Sequence, residues 1–310
     1  MNQKLRIGVV GCGSMGANHA RIARDLPGAS LVGVVDHHAE KSAAVAERSG
    51  TAAFETVDAL LDAGIDAAIV ATPTIHHHAV ASRLLNAGVH VLLEKPIAST
   101  VEEARDLVET AERCARRLAI GHVERYNPAV MALKQAVKGK DIRQISIVRA
   151  GPFPARIGDV GIVLDLGVHD IDLVRWLAEA EIAKTASLTA RTLGAHEDQA
   201  FLQFRMTTGA LAAIGTNWLT PFRRRTLEIA TTDRFYVCDM LLRTLVEHFD
   251  YGTDGSFRQR PLFVAQSEPL RSEQLAFLAA IRGEGEAIVS GQDGLRSLEV
   301  ALGCLGGAPM

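Results

Sequence analysis

The fold of this chain is most constrained by its first apolar segment, Leu5–Val10, which runs directly into the glycine-rich sequence Gly11-Cys12-Gly13-Ser14-Met15-Gly16. The amphipathic segment 17–26 follows at once. A strand that turns through G-x-G-x-x-G into a helix is typical of dinucleotide-binding βαβ units. In such a unit Gly11 would make the tight turn, Gly13 would let a pyrophosphate approach the backbone, and Gly16 would let the helix pack closely, with its N-terminus facing the anion.

An acidic residue, Asp36, ends the second apolar segment, 20 residues after Gly16. At this place a carboxylate accepts hydrogen bonds from the ribose hydroxyls of an adenosine and repels a 2'-phosphate. The neighbouring His37 and His38 would weaken that repulsion if they were protonated. We therefore expect NAD as the cofactor, with NADP binding less well.

From Leu5 to about Gly121, short β-branched apolar segments alternate with longer amphipathic ones. This alternation is typical of parallel strands joined by right-handed helical crossovers. It predicts an α/β domain of the Rossmann type, with a doubly wound parallel sheet, over residues 1–122. The predicted strands are 5–10, 31–36, 67–72, 89–94 and 118–122, with a further short strand at 52–54.

The pattern changes after Asn127-Pro128. Two helical segments, 129–137 and 168–178, accompany alternating strand segments that follow one another with short turns between residues 187 and 241. Such strands favour an antiparallel sheet over further crossovers. Two more helices are predicted between about residues 272 and 303. We therefore expect a C-terminal α+β domain, built on a mainly antiparallel sheet, over residues 123–310.

Charge and cysteine content narrow the class of protein. The 33 Lys and Arg against 36 Asp and Glu give a formal net charge of -3, and the longest basic run is Arg223-Arg224-Arg225, which is too little for a nucleic-acid surface. The four cysteines form no C-x-x-C pair, which favours reduced thiols over a disulfide framework or a zinc site. The apolar run at the N-terminus is too short for a signal peptide or a membrane span. We expect a cytoplasmic protein that binds neither nucleic acid nor a membrane.

Three consecutive histidines, His76-His77-His78, suggest a metal cluster by composition. Consecutive helical side chains point about 100° apart, so three in a row cannot converge on one ion. We therefore expect no metal, and we place these residues at a helix start beside the cofactor.

Two groups of polar residues could do chemistry. The first is Glu94-Lys95-Pro96, which closes a predicted strand at the carboxyl edge of the sheet, where open α/β sheets bind ligands. There Lys95 could hydrogen-bond a reacting oxygen and favour its alkoxide character, while Glu94 and Pro96 fix its direction. The alternative is a lysine that extends into solvent.

The second group is Asp165 and His169, within the otherwise apolar segment 164–173. Residues four apart lie on one face of a helix and could meet one substrate. The histidine could take a hydroxyl proton while the carboxylate orients the substrate. From these residues alone, an N-cap aspartate with a buried structural histidine fits equally well.

With these motifs in view, the chain resembles the Gfo/Idh/MocA oxidoreductase family over essentially its whole length. The resemblance rests on the motifs 11–16, Asp36, Ala71-Thr72-Pro73 with His77, 87–96 and 164–173, in the family's order and approximate spacing. It implies that Ser14, Met15, Thr72, Pro73, His77, Glu94 and Lys95 join the glycines and Asp36 in binding the cofactor. It also implies that Lys95, Asp165 and His169 are the catalytic residues beside the nicotinamide. Thr74 departs from the asparagine of many members.

A narrower resemblance comes from Gly121–Pro128 and Asn217–Pro221, which are similar to the members that act on nucleotide sugars, such as UDP-N-acetylglucosamine. It implies substrate contacts from Glu124, where inositol-oxidising members often carry an arginine, and from Tyr126. The implied reaction oxidises a secondary sugar hydroxyl to a ketone. The family resemblance further implies a homo-oligomer, a dimer or tetramer, that assembles through the C-terminal sheet.

Two other functions fit the same residues. One is the oxidation of a free polyol or aldose. The other is a non-catalytic NAD-binding regulator, which has no need of an intact lysine, aspartate and histidine.

Overall fold

The computed structural model describes residues 4–154, 160–285 and 288–306. The chain forms two compact units that are not continuous in sequence. The first comprises Met1–Val123 and Glu268–Leu298, and the second comprises Glu124–Ser267 and Glu299–Met310. The sequence pattern predicts one domain over 123–310, whereas in the structure Glu268–Leu298 belongs to the first unit.

A six-stranded parallel sheet forms the centre of the first unit. Its strands are Leu5–Val10 (β1), Ala29–Val35 (β2), Ala52–Phe54 (β3), Ala67–Val70 (β4), His90–Leu93 (β5) and Leu118–Ile120 (β6). Their order is β3-β2-β1-β4-β5-β6, and all neighbours are parallel. This confirms the predicted doubly wound sheet. The order reverses between β1 and β4, and ligands of such sheets bind outside the carboxyl ends of the strands at this point.

The helices follow the predicted amphipathic segments. They are Ser14–Arg24 (α1), Ala39–Ser49 (α2), Val57–Asp62 (α3), His77–Asn86 (α4), Val101–Arg113 (α5), Pro128–Ala136 (α6), Val168–Ala178 (α7), Pro269–Ile281 (α8) and Gly291–Leu305 (α9). Thr56 and Thr100 cap α3 and α5, because their hydroxyls accept hydrogen bonds from the N–H groups of Ala59 and Glu103. In the part of the chain that the structure describes, no helix has both the length and the apolar character needed to cross a membrane.

Helix α8 packs into the core of the first unit. Its Leu270, Phe277 and Leu278 are buried in the cluster that also contains Leu26 at the end of α1 and Ile69 of β4. Burial of a large apolar side chain stabilises the folded state by about 1.5–3 kcal/mol. This burial is the physical reason that the segment belongs with the first unit.

An eight-stranded sheet forms the second unit. Its strands are Ile142–Pro152 (β7), Ile182–Ala190 (β8), Gln199–Met206 (β9), Leu211–Asn217 (β10), Leu219–Thr231 (β11), Phe235–Asp239 (β12), Thr244–Phe249 (β13) and Arg258–Pro261 (β14). Their order is β14-β13-β12-β11-β7-β10-β9-β8, and among these strands only β7 and β10 pair in parallel. This confirms the predicted mainly antiparallel sheet, although the sequence analysis did not predict β13 and β14.

One face of this second sheet is buried. Along β9, Ala200, Leu202 and Phe204 are buried while the alternate residues Phe201 and Gln203 are exposed. The buried side chains form one core with apolar residues of α6 and α7. An antiparallel sheet with one covered face gives this alternation.

Candidate active site

The glycine-rich turn lies between β1 and α1. Gly11 has a φ of +94°, a left-handed conformation that favours glycine. A Cβ at Gly16 would overlap the carbonyl oxygen of Gly11, whereas nothing lies within 4 Å of a Cβ built at Gly13. Helix α1 begins at Ser14 and Met15 with no side-chain cap and no acidic residue in its first turn. Its first N–H groups are therefore suited to a phosphate, and the turn fits a dinucleotide.

The Asp36 carboxylate, directly after β2, joins the end of this strand to the glycine-rich turn. Its Oδ2 accepts a hydrogen bond from the Cys12 N–H at 2.7 Å, and its Oδ1 accepts one from the His38 N–H at 2.9 Å. Partial burial acts to raise the pKa of Asp36, but these N–H groups hold the pKa below its ordinary value. Asp36 is thus ionised at neutral pH. His37 Nδ1 also lies 3.4 Å from Oδ1, and Oδ2 keeps a second acceptor direction for a ribose hydroxyl.

Thr72 and Pro73 follow β4, and His77 begins α4. The Thr72 Oγ1 is buried with no hydrogen-bond partner among residues 4–154, 160–285 and 288–306, so a polar group of a cofactor would satisfy it. His77 is 1% exposed, and its Nδ1 and Nε2 lie 2.8 and 2.9 Å from the carbonyl oxygens of Pro96 and Thr72. Both nitrogens therefore face the main chain, and His77 links the ends of β4 and β5. A cofactor contact from His77 stays a prediction.

Burial lowers the pKa of His77, against the opposing effect of the two carbonyl groups. The ring is therefore neutral at neutral pH and donates to one of the two carbonyls at a time. Its neighbour His78 lies on the surface, with Nε2 2.7 Å from Asp106 Oδ2. His77 and His78 thus contact separate partners, and no group of three or more His, Cys, Asp or Glu within the described ranges could hold a metal ion.

Glu94-Lys95-Pro96 follows β5 at the carboxyl edge of the sheet. Glu94 is 8% exposed, and its Oε1 lies 2.9 Å from His19 Nε2 of α1. Burial acts to raise the pKa of Glu94, but the hydrogen bond from His19 and the charge of Lys95 hold the pKa below its ordinary value. Lys95 is half-buried beside it. His19 is not among the predicted site residues, although a histidine on the buried face of an amphipathic helix is a signal in the sequence.

Asp165 lies in a π-helical turn, Val163–Gly167, that leads into α7, and His169 is the second residue of α7. Such wide turns occur frequently at functional sites. Asp165 is half-buried and His169 is 8% exposed. No side-chain cap is present at the start of the turn or of α7, so Asp165 is not the N-cap of the structural alternative.

Two buried ion pairs hold α7 directly after His169. The Asp170 carboxylate accepts hydrogen bonds of 2.6–3.0 Å from Arg149, and the Asp172 carboxylate accepts two of 2.6 Å from Arg125. Both aspartates are fully buried. Because breaking a buried pair costs about 3–5 kcal/mol, these contacts hold the first turns of α7 in one position.

A cavity of about 410 Å³ opens beside Asp165 in the second unit. Arg223 and Arg225 line it, whereas Arg224 does not, as expected for alternate residues of a strand. Phe153 and Trp218 also line it and form an edge-to-face pair with ring centroids 5.7 Å apart. The volume suits a small-molecule ligand, and its wall combines a carboxylate with guanidinium groups and aromatic rings.

Glu124 is 7% exposed and lies behind this wall. Its Oε1 accepts hydrogen bonds of 2.9 Å from both Arg149 and Arg225, and its Oε2 accepts one of 3.3 Å from Asn127. Burial acts to raise the pKa of Glu124, but the two guanidinium groups hold the pKa below its ordinary value. Glu124 therefore holds Arg225 at the cavity, and a direct substrate contact from Glu124 stays a prediction.

The predicted catalytic residues are divided between the units. Lys95 belongs to the first unit, and Asp165 and His169 belong to the second. Their meeting on one substrate stays a prediction. So does a substrate contact from Tyr126, which is half-buried at the end of the 3-10 turn Val123–Tyr126.

Family models match both parts of the chain. Residues 5–122 match the oxidoreductase family model with an NAD-binding Rossmann fold, and residues 141–237 match a C-terminal domain model of the same Gfo/Idh/MocA family. The UDP-N-acetylglucosamine 3-dehydrogenase of Acidithiobacillus ferrooxidans is 34% identical over 302 residues, which cover 96% of this chain and 95% of that protein. A solved structure of this enzyme covers 98% of this chain and 96% of its own, with a TM-score of 0.91 and 33% identity.

Inositol 2-dehydrogenase of Rubrobacter xylanophilus is 33% identical over 70% of this chain and 65% of its own length. A levoglucosan dehydrogenase in complex with NADH has the same fold, with a TM-score of 0.87 at 20% identity and coverage of 98% and 96% of the two chains. The two family models cover the glycine-rich turn, the strand ends and much of the second sheet described above. The chain belongs to the Gfo/Idh/MocA oxidoreductase family, and it is an NAD(P)-dependent dehydrogenase that acts on CH–OH groups.

Proposed function

We propose that this enzyme oxidises a secondary hydroxyl of a nucleotide sugar, such as UDP-N-acetylglucosamine, to a ketone with NAD. The observation that most supports this is the cavity of the second unit, where Asp165 lies with Arg223 and Arg225. A carboxylate suits sugar hydroxyls, and guanidinium groups suit a diphosphate. The similarity to a UDP-N-acetylglucosamine 3-dehydrogenase along nearly the whole of both chains supports the same substrate class.

The chemistry follows from three side chains. When bound, the nicotinamide supplies the hydride acceptor. His169 takes the proton of the reacting hydroxyl, and Asp165 orients the sugar. Lys95 hydrogen-bonds the reacting oxygen and stabilises the negative charge that develops on it.

The preference for NAD over NADP is part of the proposal. The ionised Asp36 at the end of β2 would meet a 2'-phosphate with like charge. The fit of the turn 11–16 to a pyrophosphate is common to both cofactors, so Asp36 is the residue that discriminates.

We also propose a homo-oligomer, a dimer or tetramer, in the cytoplasm. The outer face of the second sheet supports association, since Leu188 and Phe201 are directly paired across β8 and β9 and are 61% and 65% exposed. Exposed large apolar side chains that lie side by side favour contact with another protein surface. All four cysteines are free thiols, in keeping with a reducing compartment.

A substrate panel tests the function. UDP-N-acetylglucosamine should be oxidised in preference to myo-inositol and glucose, as followed by NADH absorbance. The second candidate is a free polyol, which the similarity to inositol 2-dehydrogenases favours. Equal or faster oxidation of the free polyols would overturn the nucleotide-sugar proposal in favour of that candidate.

Substitution of two neighbouring arginines, one in the cavity and one outside it, tests the proposed diphosphate contact. Arg223 lines the cavity and makes no ion pair with a residue that the structure describes, while Arg224 lies on the other side of β11. Arg223→Ala should raise KM for UDP-N-acetylglucosamine roughly tenfold, the scale of one charge-assisted hydrogen bond, and Arg224→Ala should leave it unchanged. Equal effects of the two substitutions would contradict the assignment.

A further inference from the structure

Glu94 occupies the place in the second half of the Rossmann sheet that Asp36 occupies in the first. Asp36 follows β2, the neighbour of β1, and Glu94 follows β5, the neighbour of β4, on opposite sides of the point where the strand order reverses. In a doubly wound sheet each half takes one mononucleotide of a dinucleotide. Asp36 therefore belongs to the adenosine half, and Glu94 is its counterpart in the nicotinamide half.

The Glu94 carboxylate is held from α1. His19 is fully buried, and its Nε2 lies 2.9 Å from Glu94 Oε1. The other oxygen, Oε2, accepts a long hydrogen bond of 3.3 Å from the Lys95 N–H. A Cβ at Gly121 would come within 3.1 Å of this carboxyl group, so the space beside it is closed on the β6 side. The carboxylate thus has one fixed direction.

Helix α8 fixes the imidazole in turn. Gln274 is 1% exposed, and its Nε2 donates to His19 Nδ1 at 3.0 Å and to the His19 carbonyl oxygen at 3.2 Å. Because Nδ1 accepts a hydrogen bond, Nε2 is the nitrogen that donates its proton to Glu94. A residue from near the C-terminus therefore sets the tautomer on which the Glu94 contact depends.

A second carboxyl group, Glu273, lies next to Gln274 on α8 and is 2% exposed. Neither of its oxygens has a hydrogen-bond partner in the described ranges. Burial, with the negative charge of Glu94, raises the pKa of Glu273 well above its ordinary value, while the pKa of Glu94 is lowered. Of the two buried carboxyl groups, Glu94 therefore carries the negative charge and Glu273 is neutral.

We propose that His19 and Gln274 are positioning residues that hold the Glu94 carboxylate in one direction in the nicotinamide half of the site, so that its charge favours the oxidised cofactor over the reduced one. The oxidised ring carries a positive charge and the reduced ring does not, so a fixed carboxylate attracts only the former. The proposal rests on the binding of NAD and is independent of the sugar substrate.

The test compares the dissociation constants of NAD+ and NADH, measured by calorimetry without substrate. His19→Leu removes the donor to Glu94 and should weaken NAD+ relative to NADH roughly tenfold, the scale of one charge-assisted hydrogen bond. His19→Gln places an amide N–H near the position of Nε2 and should restore most of the wild-type ratio. His78→Leu, the same exchange at the surface contact with Asp106, serves as the control and should match the wild type.

A wild-type ratio in His19→Leu, or an equal loss in His19→Leu and His19→Gln, would overturn the proposal. Gln274→Leu provides a second test, because it removes the donor to His19 Nδ1. It should weaken the binding of NAD+ relative to NADH by a smaller factor than His19→Leu does. This variant decides the matter if His19→Leu does not fold. A wild type that binds neither NAD+ nor NADH would refute the cofactor assignment itself, whereas failure of the sugar panel leaves this proposal unaffected.

Discussion

Glu273 makes the stability of the first unit depend on pH in a direction opposite to that of most carboxyl groups. It is 2% exposed and its pKa is raised well above the ordinary value of 4.5 by burial and by Glu94. The folded state therefore keeps a proton that the unfolded state releases as pH rises above about 4.5. The free energy of unfolding then falls with pH until the folded pKa is reached. Glu273→Gln removes this titration and keeps a neutral side chain of similar size.

The magnitude follows from proton linkage. Each pH unit between the unfolded and folded pKa of Glu273 costs the wild type about 1.4 kcal/mol relative to Glu273→Gln. Glu273→Gln should therefore be close to the wild type in acid and increasingly more stable as the solution becomes neutral and then alkaline.

Urea unfolding followed by circular dichroism, from about pH 5 to about pH 8, measures this difference. Glu47→Gln replaces an exposed glutamate of α2 in the same unit and serves as the control. Its difference from the wild type should be small at every pH. The free energy of unfolding of Glu273→Gln minus that of the wild type should grow as pH rises. If this difference is independent of pH, or falls as pH rises, Glu273 is not neutral in the folded state.

Three further predictions concern the site. Asp36→Ala should lower the ratio of the NADP to the NAD dissociation constant, measured by calorimetry, towards one. An unchanged ratio would show that Asp36 does not discriminate between the two cofactors. His169→Asn and Lys95→Ala should lower turnover roughly 100-fold while NAD affinity stays within a few-fold, and near-normal turnover in both would show that these residues are structural. Gly16→Ala should weaken NAD binding at least roughly tenfold, since its Cβ would overlap the Gly11 carbonyl oxygen, and normal affinity would contradict this close approach of the helix to the turn.

The strands and the glycine-rich turn of the first unit could be predicted because they depend on local sequence patterns. The turn 11–16 and Asp36 follow from a strand pattern with fixed spacing, and the structure places β1 and β3 at the predicted residues. The strand ends that hold Thr72 and Glu94 follow from the same alternation. Local patterns suffice here because a parallel strand buried on both faces is a continuous apolar run.

Long-range contacts account for what the sequence analysis missed. The apolar pattern of α8 shows that the helix has a buried face, but not which core receives it. Glu124 contacts Arg149 and Arg225, which are 25 and 101 residues away, so its role as an internal ion-pair partner has no local sign. The contact of His19 with Gln274 spans 255 residues. Such pairs are set by tertiary packing, which single-sequence patterns do not encode.

The late position of α8 in the chain has a consequence for synthesis. A ribosome releases the entire glycine-rich turn and all six strands of the first sheet long before it makes Pro269–Ile281. Until then the surface that Phe277 covers is exposed to water, and His19 lacks the hydrogen bond from the Gln274 side-chain amide that fixes its tautomer. A nascent chain that stops short of this helix therefore contains every residue of the glycine motif yet cannot complete the unit that uses it. Translation must pass α8 before the first-made half of the protein can finish folding.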